Sequence, residues 1–517
     1  GLGDVYKRQV LALLIYVFNL FLLITEQINR LFMEKKDLKP AIVFRYFEEV
    51  CQVPRPSKKE EKIRAYLLDF AQKHNLACKT DETGNVLMSK PATAGKENLK
   101  TVILQSHMDM VCEKNKDTQH NFDTDPIETY IDGEWLKAKG TTLGADNGIG
   151  VATQLAVLAS DDIEHGPIQC LFTVDEETGL TGAFALKEGF MDGDILINLD
   201  SEDEGELFIG CAGGAGTTAQ FPCPMTAAPE GYFFFRVAVK GLTGGHSGDD
   251  INKNRANANK LLNRFLVQLM QKYDLHLCEI DGGNLHNAIP REAHAVCAVP
   301  MKDKESVRVD LNIYLSEVEN EFAVTEPNLV MELESESPCA EVMRQDAMKN
   351  FLHSIYAVHN GVYAMSQDIP GLVETSSNLA SIKQRDGKLV VVTSQRSSIL
   401  SSRKDMSQMV SSAFLLGGAE VTTGDGYPGW KPNPSSEILQ VSVESYKRLF
   451  ATEPKIKAIH AGLECGLFLE KYPSLDMVSF GPTLRGVHSP DERMLIPTVD
   501  KFWRHLLDVL AHIPAKA

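Results

Sequence analysis

The chain predicts an α/β fold: a mostly parallel sheet flanked by helices, interrupted by an inserted α+β region. Three observations predict it. Short apolar strands, Thr101 to Leu104, Ile168 to Val174 and Ile195 to Leu199, alternate with helical stretches up to Asp200, as strands joined by crossover helices do. Each strand ends in acids or a histidine, and ligands bind at the C-terminal edge of such a sheet. Past a glycine-rich stretch, 210–216, the pattern changes to half-buried alternating strands and a long amphipathic helix, and it reverts near residue 430.

Taken in order, residues 1–32 are expected to be a non-native or upstream extension. Lys7-Arg8 precede an apolar stretch, Val10 to Ile24, broken only by Asn19. It is short for a membrane span and no small-residue cleavage site follows it; a genuine anchor is the alternative, and Met33 is the expected start. Residues 33–212 form the first part of a site-bearing domain. Ala41 to Val50 and Ser57 to His74 read as helices, the second opening with Ser57 and Glu60 in a capping box. Residues 213–429 form the inserted domain, with Gly210 to Gly216 as its hinge. Tyr232 to Lys240 is a strand, Asn257 to Lys272 a helix, and Lys388 to Thr393 a strand. Val307, Val309, Leu311, Ile313 and Leu315 alternate with mostly polar residues, predicting a strand with one buried face. Gly424 to Pro434 is the return, and residues 430–517 complete the first domain with helices near 438–450 and 499–513.

The chemistry concentrates at the strand ends. His107 and Asp109 lie at i and i+2 after an apolar strand, so both point to one side and the carboxylate can orient the imidazole. Gly144-Ala145-Asp146-Asn147-Gly148-Ile149-Gly150 is a tight turn presenting Asp146 at a helix start. No Lys-Ser/Thr follows, which excludes a P-loop, and the spacing is not a dinucleotide fingerprint. Asp175-Glu176-Glu177 ends the next strand and needs a compensating cation or full solvation. Asp200 ends the third, and His488 follows a late strand, 477–482. Two histidines with Asp146, Glu177 and Asp200 suit two divalent ions, with Asp146 able to bridge them. The cysteines lack the paired spacing of a thiolate zinc site, and imidazole with carboxylate fits zinc, cobalt or manganese.

Composition narrows the classes. The 43% hydrophobic and 24% charged content is that of a globular chain with sizeable cores. A net charge of −18, with no basic patch, excludes nucleic acid as the expected partner. The 10 scattered cysteines fit reduced thiols and a cytoplasmic protein.

The motifs Ser106-His107-Met108-Asp109, Leu143-Gly144-Ala145-Asp146-Asn147-Gly148, Asp175-Glu176-Glu177-Thr178-Gly179, Asn198-Leu199-Asp200-Ser201-Glu202, Gly244-Gly245-His246-Ser247-Gly248, Asn287-Ala288-Ile289-Pro290-Arg291, His460-Ala461-Gly462-Leu463-Glu464 and Gly486-Val487-His488-Ser489-Pro490 together resemble the M20 family of metallopeptidases, in its aminoacyl-histidine dipeptidase branch. The resemblance runs from about Met33 to the end. It implies a zinc-peptidase-like catalytic domain with an inserted lid and dimerisation domain. It implies two divalent ions, zinc foremost: one held by His107, Asp146 and Asp200, the other by Asp146, Glu177 and His488. Asp109 would orient His107, and Glu176, pointing away from Glu177 along an extended segment, would be the general base acting on a metal-bridging hydroxide. His246, Asn287, Arg396 and Gly462 would contact substrate, with Arg403 an alternative to Arg396 for the substrate carboxylate. The lineage often carries Asp where this chain has Asn147, a change expected to touch no ligand. The implied activity is hydrolysis of Xaa-His dipeptides, including β-Ala-His. The alternatives are a non-specific dipeptidase, aminoacylase or carboxypeptidase, or a non-catalytic peptide or metal binder. A homodimer is expected, and no membrane partner unless the apolar N-terminal segment is genuine.

Overall fold

The computed structural model describes residues 34–516; the apolar stretch at 10–24 and the expected start at Met33 lie outside them. The chain divides into two compact units, one running to Phe208 and taking in Ser435–Ile456 and the residues from Lys471 on, the other formed by Ile209–Pro434 and Lys457–Glu470.

In the first unit, four parallel strands form the centre of the sheet, in the spatial order Ile168–Thr173, Val102–His107, Ile195–Asn198 and Asp476–Ser479. The first three are buried at every position, as strands covered on both faces must be. Val102 pairs with Ile168 and with Ile195, so these three strands begin level. Their C-terminal ends therefore emerge on one edge. Antiparallel neighbours Val86–Lys90 and Ala77–Thr80 extend the sheet on one side. Helices Ala41–Cys51, Glu61–Lys73, Ala145–Ala159, Glu437–Phe450 and Ile496–Ala511 belong to the same unit. The last buries Val499, Phe502, Leu506 and Val509, an i, i+3, i+7, i+10 stripe.

The second unit is an antiparallel sheet with helices, in the order Val330–Ser335, Tyr232–Lys240, Ala293–Pro300, His276–Gly282, Val373–Arg385, Lys388–Ser397, Gly213–Pro222 and Glu420–Thr423, with Gly361–Met365 beside Val373–Arg385. Helices Ala258–Lys272, Lys304–Glu321, Gln345–Ala357 and Leu400–Leu416 supply Phe265, Tyr314, Phe351 and Phe414 to one apolar core. The molecule is thus an α/β protein with an α+β unit. Among the described residues no helix is long and apolar enough to cross a membrane.

Three expectations are corrected. The strand expected over Val307 to Leu315 is helix, Lys304–Glu321. Its buried residues are Val307, Leu311, Tyr314 and Val318, while Val309 and Ile313 are 56% and 54% exposed. The alternating pattern hid an i, i+4, i+7, i+11 stripe. The hinge expected at Gly210 to Gly216 is mostly paired strand, with Gly213 and Gly214 opposite Ser397 and Arg396. A Cβ on Gly213 would lie 2.5 Å from the Tyr427 carbonyl oxygen, and one on Gly214 would strike the Tyr427 ring; close approach, not flexibility, requires glycine there. Ser57 caps no helix, because Glu61–Lys73 starts four residues later and the Ser57 hydroxyl donates to Asp109 Oδ2 at 2.7 Å.

Candidate metal centre and neighbouring clusters

His107 is the last residue of its strand and is 1% exposed. Its Nδ1 lies 3.2 Å from Asp109 Oδ1, and its Nε2 lies 3.0 Å from Asp146 Oδ1 and 3.4 Å from Asp200 Oδ1. His488 mirrors it: its Nε2 is 3.1 Å from Asp146 Oδ2 and 3.0 Å from Glu177 Oε2. Asp146 therefore presents one oxygen to each imidazole. It can do so because Gly144, at φ +67°, turns the chain and Asp146 itself leaves the helical conformation, with ψ 109°.

The acids after the second strand divide their work. Asp175, at φ +49°, accepts hydroxyls from Thr178 and Thr181, and its N–H donates to Glu60 Oε1 at 3.0 Å. Hydroxyl donors, where a cation or full solvation was expected, stabilise this buried first acid. Glu176 and Glu177 lie in a single helical turn, Glu176–Gly179, not on an extended segment. Successive helical side chains diverge by about 100°, so the two carboxylates still leave in different directions. Their backbone N–H groups both donate to Asp109, at 3.1 and 3.3 Å. Asp109 thus fixes the backbone of Glu176 and Glu177 as well as the His107 ring.

Acids outnumber cationic side chains at this site. Among the described residues, Asp109, Asp146, Glu177 and Asp200 make ion pairs only with the two imidazoles. Hydrogen bonds to Asp146 and Glu177 push His488 up to about 11 against the opposing effect of burial. Burial opposes the charged form of His107, but the Asp200 charge and bonds to Asp109, Asp146 and Asp200 raise it well above its ordinary value. Burial pushes Asp200 up to about 6 and Glu202 up to about 8, with neighbouring acids adding to both. Glu177 Oε1 is buried with no hydrogen-bond partner. Donor atoms of His107, Asp146 and Glu177 all lie within 4.8 Å of one another. Imidazole and carboxylate donors, surplus negative charge and an orphaned buried oxygen fit divalent cations.

Several residues escaped the sequence reading. The Asn147 side-chain amide donates to Asp200 Oδ1 and its oxygen accepts from Gly150 N–H at 3.1 Å. It therefore touches an expected ligand, contrary to expectation; an amide can donate to that carboxylate where an ionised acid could not. Arg55, 1% exposed, donates to the carbonyls of Asp109 and Gly144. Glu492, 2% exposed, accepts four backbone N–H groups, from Leu143 to Asp146. No local motif announces any of these, since each acts across more than 30 residues or through backbone atoms. Glu202 stood inside a quoted motif but carried no assigned role.

A second cluster lies wholly in the other unit. His246 accepts N–H groups from Gly248 and Asp249 on Nδ1, at 3.4 and 3.2 Å, and its Nε2 faces the Arg396 guanidinium. Arg396 Nη2 is 3.4 Å from that Nε2, and Nη1 donates to Tyr427 Oη at 2.9 Å. Arg396 Nε is buried without a partner. Gly462 packs on Tyr427, where a Cβ would come within 2.8 Å of the ring. Arg403 instead donates to the carbonyls of Gly214, Asp425 and Tyr427; its donors are engaged by backbone. Asn287 is exposed, and its carbonyl accepts from Ser247 N–H at 2.8 Å. His460, quoted only as part of a motif, sits 2.7 Å from the Ser376 hydroxyl, and burial beside Arg396 pushes it down to about 3.

Comparison with known proteins places the chain in a family. The sequence pattern of peptidase family M20/M25/M40 matches residues 103–512. The cytosol non-specific dipeptidase of Escherichia coli (strain K12) is 44% identical over 483 residues, covering 93% of this chain and 100% of that protein. The crystal structure of aminoacylhistidine dipeptidase from Vibrio alginolyticus superposes with a TM-score of 0.87 at 46% identity, over 95% of this chain and 100% of the other. Aminopeptidase PepT from Bacillus cereus, at 16% identity and TM-score 0.55 over 92% of this chain and 99% of its own, shares the fold.

Proposed function

The chain belongs to peptidase family M20/M25/M40, and from that membership we propose that it is a cytosolic dipeptidase working with two divalent metal ions, zinc foremost, on Xaa-His and related dipeptides. The observation that carries the reading is the pair of imidazoles on the two oxygens of Asp146, at 3.0 and 3.1 Å, with Asp200 beside His107 and Glu177 beside His488. His107, Asp146 and Asp200 would hold one ion, and Asp146, Glu177 and His488 the other. Bound there, the ions would supply a water of lowered pKa and polarise the scissile carbonyl.

The remaining roles fall to the chain's own residues. Asp109 holds the His107 ring in one orientation through Nδ1, which leaves Nε2 free to ligate. Glu176, its backbone anchored on Asp109, takes the proton of the attacking water and returns it to the leaving amine. His246 is the donor assigned to the oxyanion that develops on the carbonyl oxygen. The Arg396 guanidinium, with its orphaned Nε, binds the substrate carboxylate in place of Arg403. Asn287 and Gly462 line the same substrate.

The breadth of substrates is the open choice within this reading. The Vibrio relative is named for aminoacyl-histidine and the E. coli relative for non-specific dipeptides, so a preference for His at the C-terminal position with wider dipeptide tolerance fits both. Zinc-loaded protein is tested on Ala-His, β-Ala-His, Gly-Leu, a tripeptide and an N-acyl amino acid, with Glu176→Ala as control. Cleavage of the dipeptides alone, fastest for His, is expected. Cleavage of the N-acyl amino acid with the dipeptides left intact would replace the dipeptidase reading with an aminoacylase one.

A further inference from the structure

Resting on the metal-centre reading, we propose that Glu492 is a positioning residue that locks the bridging acid Asp146 to the second metal's histidine, His488. The geometry is that of one turn gripping one residue at both ends. His488 and Glu492 leave the same tight turn, which is closed by Glu492 N–H on the Ser489 carbonyl at 3.0 Å and by the Ser489 hydroxyl on the Gly486 carbonyl at 2.6 Å. His488, at φ +61°, sends its ring to Asp146 Oδ2 at 3.1 Å. Glu492 sends its carboxylate beneath the same residue. Its Oε2 accepts from Leu143 and Gly144 N–H at 2.7 and 2.9 Å, and its Oε1 from Ala145 and Asp146 N–H at 2.8 and 3.3 Å.

These amides precede the regular part of the Ala145–Ala159 helix, since Asp146 and Asn147 depart from helical angles, so the helix does not satisfy them. A simple cap would explain part of this. It would not explain why the cap comes from the turn that also carries His488, 348 residues from Gly144 in sequence. Arg55 completes the frame by donating to the Gly144 and Asp109 carbonyls. The segment that carries Asp146 is thus held by its amides on Glu492 and by a carbonyl on Arg55. Loss of Glu492 leaves both ligands present and their separation unset.

The test uses the full chain stripped of metal and titrated with cobalt(II), which reports binding by calorimetry and coordination by its visible absorption. Glu492→Gln keeps the size and turns a carboxamide NH2, a donor, toward backbone N–H groups that need an acceptor. We expect cobalt affinity to fall by about 10- to 100-fold and the absorption band to change, as for loss of groups that orient metal ligands. With Ala-His, kcat falls by a similar factor and KM stays within about twofold, since binding of substrate ends is assigned elsewhere. If Glu492→Gln does not fold, Glu492→Asp retains the charge one methylene short and gives an intermediate loss. A folded variant of either kind with unaltered cobalt affinity and spectrum overturns the proposal. Unaltered protein that binds cobalt and cleaves no dipeptide overturns the dipeptidase reading alone, and the cobalt readout still decides for Glu492.

Discussion

Asp109 shows how much one buried carboxylate organises at the residue scale. It orients His107, accepts the Ser57 hydroxyl, and takes the N–H groups of Glu176 and Glu177. Asp109→Asn keeps the shape but places a donor against at least one of those donors. It is expected to reduce zinc affinity or turnover by about 10- to 100-fold, measured by calorimetry and Ala-His hydrolysis. A second residue-scale expectation concerns His505, which is buried and bonded through Nε2 to the Ser442 carbonyl at 2.9 Å. Burial pushes it down to about 4, from an ordinary 6.5. The folded form therefore resists a proton that the unfolded chain accepts. Stability at pH 7 is unaffected, falls as pH drops from 6.5 toward 4, and is lower by about 3 kcal/mol once below both values. Replacement by Gln should flatten that part of the pH dependence in chemical denaturation. Of the site, the residues near strand ends and at one helix start were legible: His107, Asp109, Asp146, Glu177, Asp200 and His488 come together in space. Asn147, Arg55 and Glu492 were not, because their work is done on a distant carboxylate or on backbone atoms that sequence does not display.

At the scale of elements, the helix Lys304–Glu321 carries the clearest lesson. Val307, Val309, Leu311 and Ile313 satisfy a strand's alternation, yet Val307 and Leu311 are also one helical turn apart and continue to Tyr314 and Val318. Two periods were present in nine residues, and only the extension to Val318 separates them. The two periods make different predictions. Leu311→Ala should cost about 2–5 kcal/mol because it empties a packed core. Val309→Ala and Ile313→Ala should each stay within about 0.5 kcal/mol, as exposed changes do. A strand would bury all three on one face and make them similar; urea denaturation of the three variants separates the cases. The parallel strands, by contrast, were legible because a short apolar run bounded by acids and glycine suits a strand covered on both faces and is too short for a buried helix. The Glu61–Lys73 helix was found with its start misplaced, since Ser57 looked like a cap and is instead engaged with Asp109.

For the whole molecule, the sheet of the first unit explains why ligands from residues 107 to 488 share one place. Parallel strands that begin level must end on one edge, and each delivers its acid or histidine there. The inserted unit holds a separate set, in which Arg396 lies beside His246 and donates to Tyr427. A change of hydrophobic period past residue 212 lies close to the start of the second unit at Ile209, whereas Lys457–Glu470 also belongs to that unit and its sheet order left no local trace in the sequence. The proposed activity rests on two divalent ions held across the Asp146 bridge. Its most direct test follows Ala-His hydrolysis by metal-stripped protein as zinc is added in known equivalents. Negligible turnover without metal and a plateau at about two ions per chain are expected, with Glu176→Ala binding both ions and turning over at least about 100-fold more slowly. Full turnover in stripped protein, or zinc-saturated protein that leaves the dipeptide intact, would contradict the two-metal dipeptidase.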